Sequence, residues 1–277
     1  MIPKKINFFW SSDNSMSWLR YMTLYSFRHF HPDWDINLYI NYSELKTKPW
    51  ATIIDQDFFN YKGSSYYNKI EELNINIIPW ELSRPDCPVE DLKWKNISPS
   101  QKSNFFKWKL LGTDGGVYSD MDILYINSID KLFNQMNEES YDTVISYSGY
   151  YSIGFMMSCP ENAFFKAVFD TCFKLFKERS YQGAGVDILY SKWKNVEKIE
   201  EEYPNLKIYK LPMPYFYYND CQQMVNVFKK VMKLPEEVLG IHWYAGTKLA
   251  QEYNNLVNEN NYKEYQCTLT NYLEKII

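Results

Sequence analysis

The sequence predicts an α/β fold, with a central mixed but mostly parallel sheet flanked by helices, and three observations carry that prediction. Short β-rich apolar runs alternate with helix-periodic segments from the first residues onward. The 277 residues, 45% of them hydrophobic, suffice for one large core, and no internal repeat, low-complexity tract or Gly/Ser linker divides them. Two adjacent glycines, Gly115 and Gly116, mark a passage from a helix-periodic segment into an apolar strand. Residues 1–277 are therefore expected to form a single domain, with a helical tail from about residue 250.

The elements follow in order. "KINFFW" (5–10) is β-rich, and the polar "SSDNS" after it can cap the apolar-periodic segment 16–30, which Pro32 stops. "DINLYIN" (35–41) reads as a second strand and "NINIIPW" (74–80) as a third, after the short helix-like "SYYNKIEEL". "SPSQKSNFFKWKLLGTDGG" (98–116) reads as a helix entered through Ser98 or Ser100 with Pro99 in its first turn, ended by Gly112 and the Asp114-Gly115-Gly116 turn. "VYSDMDILYI" (117–126) then continues as a strand. Farther on, "DTVISYS" and "SIGFMMS" are strand-like, "ENAFFKAVFDTCFKLFKE" is an apolar helix, and "GAGVDILYSKWKNV" opens another helix after its glycines. The acidic "EKIEEEYP" (197–204) reads as a solvated helix end.

Composition narrows the function classes. Aromatic residues reach 18%, from 25 Tyr, 17 Phe and 9 Trp, which supplies stacking surfaces, although any single ring is more simply read as core. A net charge of −4 provides no general field for a polyanion, so a broad nucleic-acid surface is not expected. The five cysteines (Cys87, Cys159, Cys172, Cys221, Cys267) are widely spaced and form no CxxC pair, which favours neither a zinc knuckle nor a disulfide framework. The amino-terminal apolar run is too short for a signal segment and no apolar stretch is long enough to span a membrane, so a soluble, cytoplasmic chain is expected.

Asp120 and Asp122 carry the chemistry. In a strand they would project to one face with Met121 opposite, and two like charges converging in a partly desolvated cleft need a cation or a proton between them. A hard divalent ion, Mn²⁺ or Mg²⁺, is the natural guest, and such ions commonly share carboxylates with substrate phosphates. A DxD triplet alone is a weak signal. The Gly-Gly turn before it and the apolar "ILYI" after it place this one at a buried sheet margin.

With its context, "GGVYSDMDILY" resembles the GG-x-Y-x-D-x-D segment of metal-dependent GT-A glycosyltransferases of the DXD sugar-binding-region family, which includes the yeast initiating α-mannosyltransferases and the large clostridial glucosylating toxins. "IPKKINFFW" is similar to the opening I-P-K-x-I-H-x-x-W strand of that family, "SPSQKSNFFKWKLLGTDGG" to its S-D-x-x-R-x-x-x-L helix, and "GIHWYAGTK" to its closing histidine motif. These elements occur in the family's order from residue 2 to about residue 250. The resemblance implies a GT-A fold and transfer of a hexose from a nucleoside-diphosphate sugar, UDP-linked, to an acceptor glycan, lipid-linked glycan or protein, with retention of configuration. It also implies that Trp10 stacks on the base with Phe9 nearby, and that Tyr118 flanks the nucleotide. By the same likeness Asp120 holds hydroxyls and helps bind the metal, Asp122 ligates it, His242 adds a ligand and Lys248 meets the diphosphate.

The sequence departs from the family where Asn104 replaces aspartate, Lys107 replaces arginine and Asn7 replaces the strand histidine. Asn104 and Lys107 still share a helix face, but an amide and a point charge replace an acceptor and a fork. Two rivals follow: a metal-dependent nucleotidyl or phosphoryl transferase, which usually brings a third acidic residue, and a nucleotide-sugar binder without turnover.

Other features have plainer readings. His242 lies among apolar neighbours, as a core histidine would, but "WYAGTK" favours a ligand; His29 and His31, at a helix end, read as structural. "QGAGVD" lacks a full phosphate-loop pattern and leaves Asp187 without an assigned role. "LPMPYFYYND" (211–220) reads as an acceptor-facing aromatic platform or as a packed loop.

Overall fold

The computed structural model describes residues 1–11, 15–41, 61–81, 98–177 and 180–277. In chain order the elements are β1 (Lys5–Ser11), α1 (Trp18–Phe30), β2 (Asp35–Asn41), a 3-10 helix (Tyr67–Leu73), β3 (Asn76–Pro79), α2 (Pro99–Thr113), β4 (Gly116–Ser119) and β5 (Ile123–Tyr125). There follow α3 (Asp130–Glu138), β6 (Thr143–Tyr147), β7 (Tyr151–Ser158), α4 (Ala163–Leu175), α5 (Val186–Lys192), α6 (Val196–Glu202), β8 (Ile208–Leu211) and α7 (Pro214–Tyr217). The last are α8 (Met224–Phe228), β9 (Gly240–His242), α9 (Lys248–Leu256), a 3-10 turn (Tyr262–Glu264) and α10 (Thr268–Leu273).

The main sheet has the order β3-β2-β1-β4-β7-β6-β8. Strands β3, β2, β1 and β4 run parallel, β7 is antiparallel to both β4 and β6, and β8 is parallel to β6. This is the mixed, mostly parallel α/β sheet that the sequence predicts. Strand β1 lies in its interior, and Ile6, Asn7, Phe8 and Phe9 are all buried, which explains a mostly apolar run where one-sided alternation would mark an exposed sheet. Its buried Asn7 is satisfied: Nδ2 donates to the Val117 carbonyl at 2.9 Å, and Oδ1 accepts from Asn37 at 2.9 Å.

Helix α2 begins as its sequence requires. Ser98 Oγ accepts from the Gln101 amide while Gln101 Oε1 accepts from the Ser98 amide, with Pro99 at the first helical position. The helix runs through Gly112 to Thr113, and Gly115 and Gly116 follow at φ values of 62° and 96°. A Cβ at Gly115 would lie 2.6 Å from the Ser158 carbonyl oxygen, so the turn needs glycine for space as well as for conformation. Helix α1 is capped by Ser17, whose side chain accepts from the Arg20 amide, rather than from within "SSDNS"; Ser12, Asp13 and Asn14 lie outside the described residues, as does Cys87. Cys159, Cys172, Cys221 and Cys267 are free thiols.

One expectation changes, and one pair of alternatives narrows. The stretch 117–126 is not one strand: β4 stops at Ser119 in the main sheet, and β5 starts at Ile123 in a separate two-stranded sheet with β9. The backbone explains the break, because the Asp120 amide donates to the Gly154 carbonyl of β7 at 2.7 Å, whereas the Asp122 carbonyl accepts from the Trp243 amide beyond β9 at 2.9 Å. The two aspartates therefore straddle a junction between sheets instead of alternating along a pleat. In 211–220, of the two readings left open, the packed loop is the one that fits. Phe216 and Tyr217 are buried, with Phe216 stacked on Phe155 at 4.0 Å, and Tyr218 is the exposed ring.

The segment from about residue 250 packs back onto the molecule through Leu269, Leu273 and Ile276, and α9 supplies one wall of the cleft described next. No helix among the described residues is long and apolar enough to cross a membrane.

Candidate functional site

A cleft opens where β1 and β4 end, at the carboxyl edge of the parallel strands, the usual ligand position in an open α/β sheet. Trp10 and Ser11 close β1 and Asp120 follows β4, so the aspartate pair lies past a strand's end and just before the start of the next. Phe9, Trp10, Asn104, Lys107, Tyr118, Asp120 and Asp122 all line this cleft.

Asp120 is held from two sides. Tyr118 Oη donates to its Oδ1 at 2.7 Å, and Lys107 Nζ lies 3.2 Å from the same oxygen. Lys107 also donates to the Ile153 carbonyl at 3.2 Å and sits 4.5 Å from the Tyr118 ring centroid. Only 2% of its side chain is exposed, and burial pushes its ammonium pKa below the ordinary lysine range while Asp120 opposes that shift. Burial, reinforced by Asp120, raises the Tyr118 phenol well above its ordinary value, so it remains a neutral donor; Ser103 Oγ completes the chain 2.7 Å from Tyr118 Oη. Phe9 is mostly core, packed on Phe106 and Trp80 at 5.2 and 5.6 Å.

Asp122 is held by different groups. His242 Nε2 is 3.1 Å from its Oδ1, and the Ala245 amide donates to its Oδ2 at 2.8 Å. Burial alone would raise this carboxyl, but His242, Arg20 and the Ala245 N–H together hold it well below the usual carboxylate range. His242 arrives through strand pairing, since β5 and β9 place Ile123 opposite His242 and so bring the imidazole beside the preceding aspartate. Its ring centroid is 4.0 Å from that of Tyr244 and 5.2 Å from that of Tyr217, and Nδ1 is buried with no partner among the described residues.

Asp120, Asp122 and His242 each offer a ligand atom, and these atoms lie within 4.8 Å of one another. Two carboxylate oxygens and an imidazole nitrogen suit a hard or borderline divalent ion. Asn104 faces the cleft beside Gly185, where a Cβ would stand 3.0 Å from its Nδ2. Lys248 is the exposed first residue of α9 and does not line the cleft; Asp187 accepts from Ser180 Oγ at 2.6 Å.

Several cleft residues escape sequence reasoning. Arg20 from α1, Tyr181 and Gln182 before α5, and Gln251 and Asn254 from α9 all line the cleft. Burial raises the Tyr181 phenol to about 12. Arg20 alone carried a signal, a lone charge in the otherwise apolar opening of α1, "WLRYM".

Residues 13–141 match the model of the glycosyltransferase sugar-binding region containing the DXD motif. Among curated proteins no sequence matches the chain significantly. The chain is similar to the solved PaToxG glycosyltransferase, with a TM-score of 0.48 and 14% identity over 74% of this chain and 75% of that one. It is also similar to mouse xyloside xylosyltransferase 1 in its apo form, with a TM-score of 0.47 and 10% identity over 88% and 98% of the two chains. For the glycosyltransferase GlyE of Streptococcus pneumoniae TIGR4 the TM-score is 0.49 and the identity 12%, over 99% of this chain and 64% of that one. At these scores the likenesses carry nothing about substrate or mechanism.

Proposed function

We propose that the protein is a GT-A glycosyltransferase that moves a hexose from a nucleoside-diphosphate sugar, UDP-linked, to a glycan, lipid-linked glycan or protein acceptor, with Mn²⁺ or Mg²⁺. The observation that supports this reading best is the convergence of Asp120, Asp122 and His242 within 4.8 Å in a cleft that also presents the Trp10 ring. The buried, unpartnered Nδ1 of His242 fits a site that has a further ligand to take up.

A bound divalent ion would offset the negative charge that grows on a departing diphosphate. The protein's own part is to hold its ligands in place. Tyr118 and Lys107 orient Asp120, and the Ala245 amide orients Asp122. Trp10 offers a stacking face for a base, and Asn104 an amide for sugar hydroxyls. Lys248, exposed at the first turn of α9, is assigned to the diphosphate by resemblance alone. Retention belongs to the same proposal, with the leaving phosphate oxygen taking the acceptor proton.

Two observations weigh against the rivals. The cluster contains a histidine and no third carboxylate among the described residues, unlike the usual site for nucleotidyl transfer. Lys107, although not arginine, still reaches Asp120, which argues against a merely vestigial site.

A thermal-shift panel of UDP- and GDP-sugars with Mn²⁺ or EDTA tests the reading. A UDP-sugar with Mn²⁺ is expected to give the largest rise in Tm, to be cleaved to UDP and free sugar, and to lose its effect in Asp122→Asn. Release of pyrophosphate or a sugar phosphate would reassign the reaction. An undiminished shift in Asp122→Asn would remove that residue from the site.

A further inference from the structure

We infer that the cleft carries an anion-binding element, formed by Arg20 of α1 and Gln251 of α9, which grips the phosphates of a nucleoside diphosphate beside the Asp120–Asp122–His242 corner. The ligand class rests on the function proposed above; the element itself rests on the following geometry.

The Arg20 guanidinium carbon lies 5.7 Å from the Trp10 ring centroid and 5.1 Å from that of Trp243. Two indoles thus hold the fork in place without using any of its N–H groups. No hydrogen-bond acceptor or ion-pair partner is provided for it by the described residues, although it lines the cleft. Arg28, two turns farther along the same helix, shows how this fold treats a structural arginine. Its guanidinium donates to the carbonyls of Leu73, His31, Pro32, Trp34 and Asn74. Arg20 has the same five donors, and the described residues place no acceptor within hydrogen-bond reach of them; Asp122 acts on it through charge alone, which leaves the fork able to take an anion.

Gln251 supplies the second donor. Its Nε2 is buried with no partner among the described residues, and the residue lines the same cleft. Ser17 Oγ donates to Asn254 Oδ1, which joins the first turn of α1 to α9, and Gln251 lies three residues before Asn254 on that helix face.

Position assigns the ligand. Arg20 stands between Trp10, the platform for a base, and Trp243, whose amide is bonded to the Asp122 carbonyl. A molecule stacked on Trp10 that reaches the aspartates must pass Arg20 with whatever links its two ends. In a nucleoside diphosphate sugar that link is the pair of phosphates, whose non-bridging oxygens match a guanidinium fork. Lys107 also lines the cleft but is tied to Asp120 and the Ile153 carbonyl, and Lys248 is exposed and outside it, so Arg20 is the lining cation whose donors are not bonded to the described residues.

Calorimetry on the full chain with UDP, uridine and inorganic pyrophosphate, each in Mn²⁺ and in EDTA, tests the inference. In EDTA the wild type should retain binding of UDP and pyrophosphate; Arg20→Gln should weaken both by about tenfold or more and leave uridine unchanged. Arg20→Lys should recover part of the loss, and Gln251→Leu should weaken UDP by about threefold to tenfold. Unchanged UDP and pyrophosphate affinities in Arg20→Gln would overturn the inference, as would an equal loss for uridine, which would make Arg20 only a prop for Trp10. Manganese-dependent UDP binding insensitive to both positions would sink this inference alone. Arg20-dependent pyrophosphate binding with no preference for UDP would keep the anion element and sink the nucleotide reading.

Discussion

His31 and His242 are the same side chain in two regions of one molecule, and the structure uses them oppositely. His31 is fully buried at the end of α1, stacked on Phe27 at 4.1 Å. Its Nδ1 donates to the Phe27 carbonyl at 2.9 Å and its Nε2 accepts from the Ile129 amide at 2.8 Å, so both ring nitrogens are spent on the fold. His242 faces a carboxylate with one nitrogen and leaves the other buried and unpartnered. A satisfied imidazole stabilises what surrounds it, whereas an unsatisfied one costs stability, and under the proposed function His242 is the one held for a ligand.

Exchanging each ring for phenylalanine should separate the two roles, and this pair carries the largest expected effects. In His31→Phe the Ile129 amide loses its acceptor in the core, which should cost about 2 kcal/mol and leave Mn²⁺ affinity untouched. In His242→Phe the Mn²⁺ affinity should fall by at least about tenfold, while Tm moves less than in His31→Phe. Calorimetric Mn²⁺ titration beside urea unfolding reads both quantities. Equal losses of stability with no loss of metal affinity at His242 would erase the distinction.

The contrast also shows which parts of the molecule local sequence can announce. The start of α2 was legible because Ser98, Pro99 and Gln101 complete their hydrogen bonds within one turn. The break between β4 and β5 was not, because it depends on Gly154 and Trp243, which are distant in sequence from Asp120 and Asp122. The pair itself was legible from its glycine-bounded context; its convergence survives, though it is produced by a sheet junction rather than by strand alternation. Whether 211–220 formed a platform or a packed loop stayed open in the sequence, since nothing nearby reveals that Phe155 stacks on Phe216 and that His242 meets Tyr217. Arg20 and Gln251 were hidden for a similar reason: the contact that joins their helices, Ser17 to Asn254, spans almost the whole chain.

Gly154 offers a sharper test within the aspartate corner. Its carbonyl anchors the Asp120 amide, and a Cβ there would lie 2.9 Å from Asp120 Oδ2 and 3.0 Å from Tyr217 Oη. Gly154→Ala should turn the carboxylate away and lower Mn²⁺ affinity by about threefold to tenfold, with the Asp122–His242 contact intact. A variant that binds Mn²⁺ as the wild type does would show that the Asp120 carboxylate tolerates displacement.

The smallest expected effect is a pH slope at the structural histidine. Burial holds the His31 pKa below its ordinary value of 6.5, more strongly than the Phe27 carbonyl and Asp130 raise it. The unfolded chain therefore takes up a proton near pH 6.5 before the folded one does. The stability this residue contributes is fully present above that pH and is lost as pH falls through the lower folded value, at a limiting slope of about 1.4 kcal/mol per pH unit. His31→Phe lacks the titrating group but retains His29 and His242, so the difference in unfolding free energy between the two proteins should shrink as pH falls from 7.5 to 5.5. Urea unfolding in EDTA at three pH values within that window measures the difference directly. Parallel curves would mean that His31 takes up its proton equally well in both states, which its two spent nitrogens and full burial forbid.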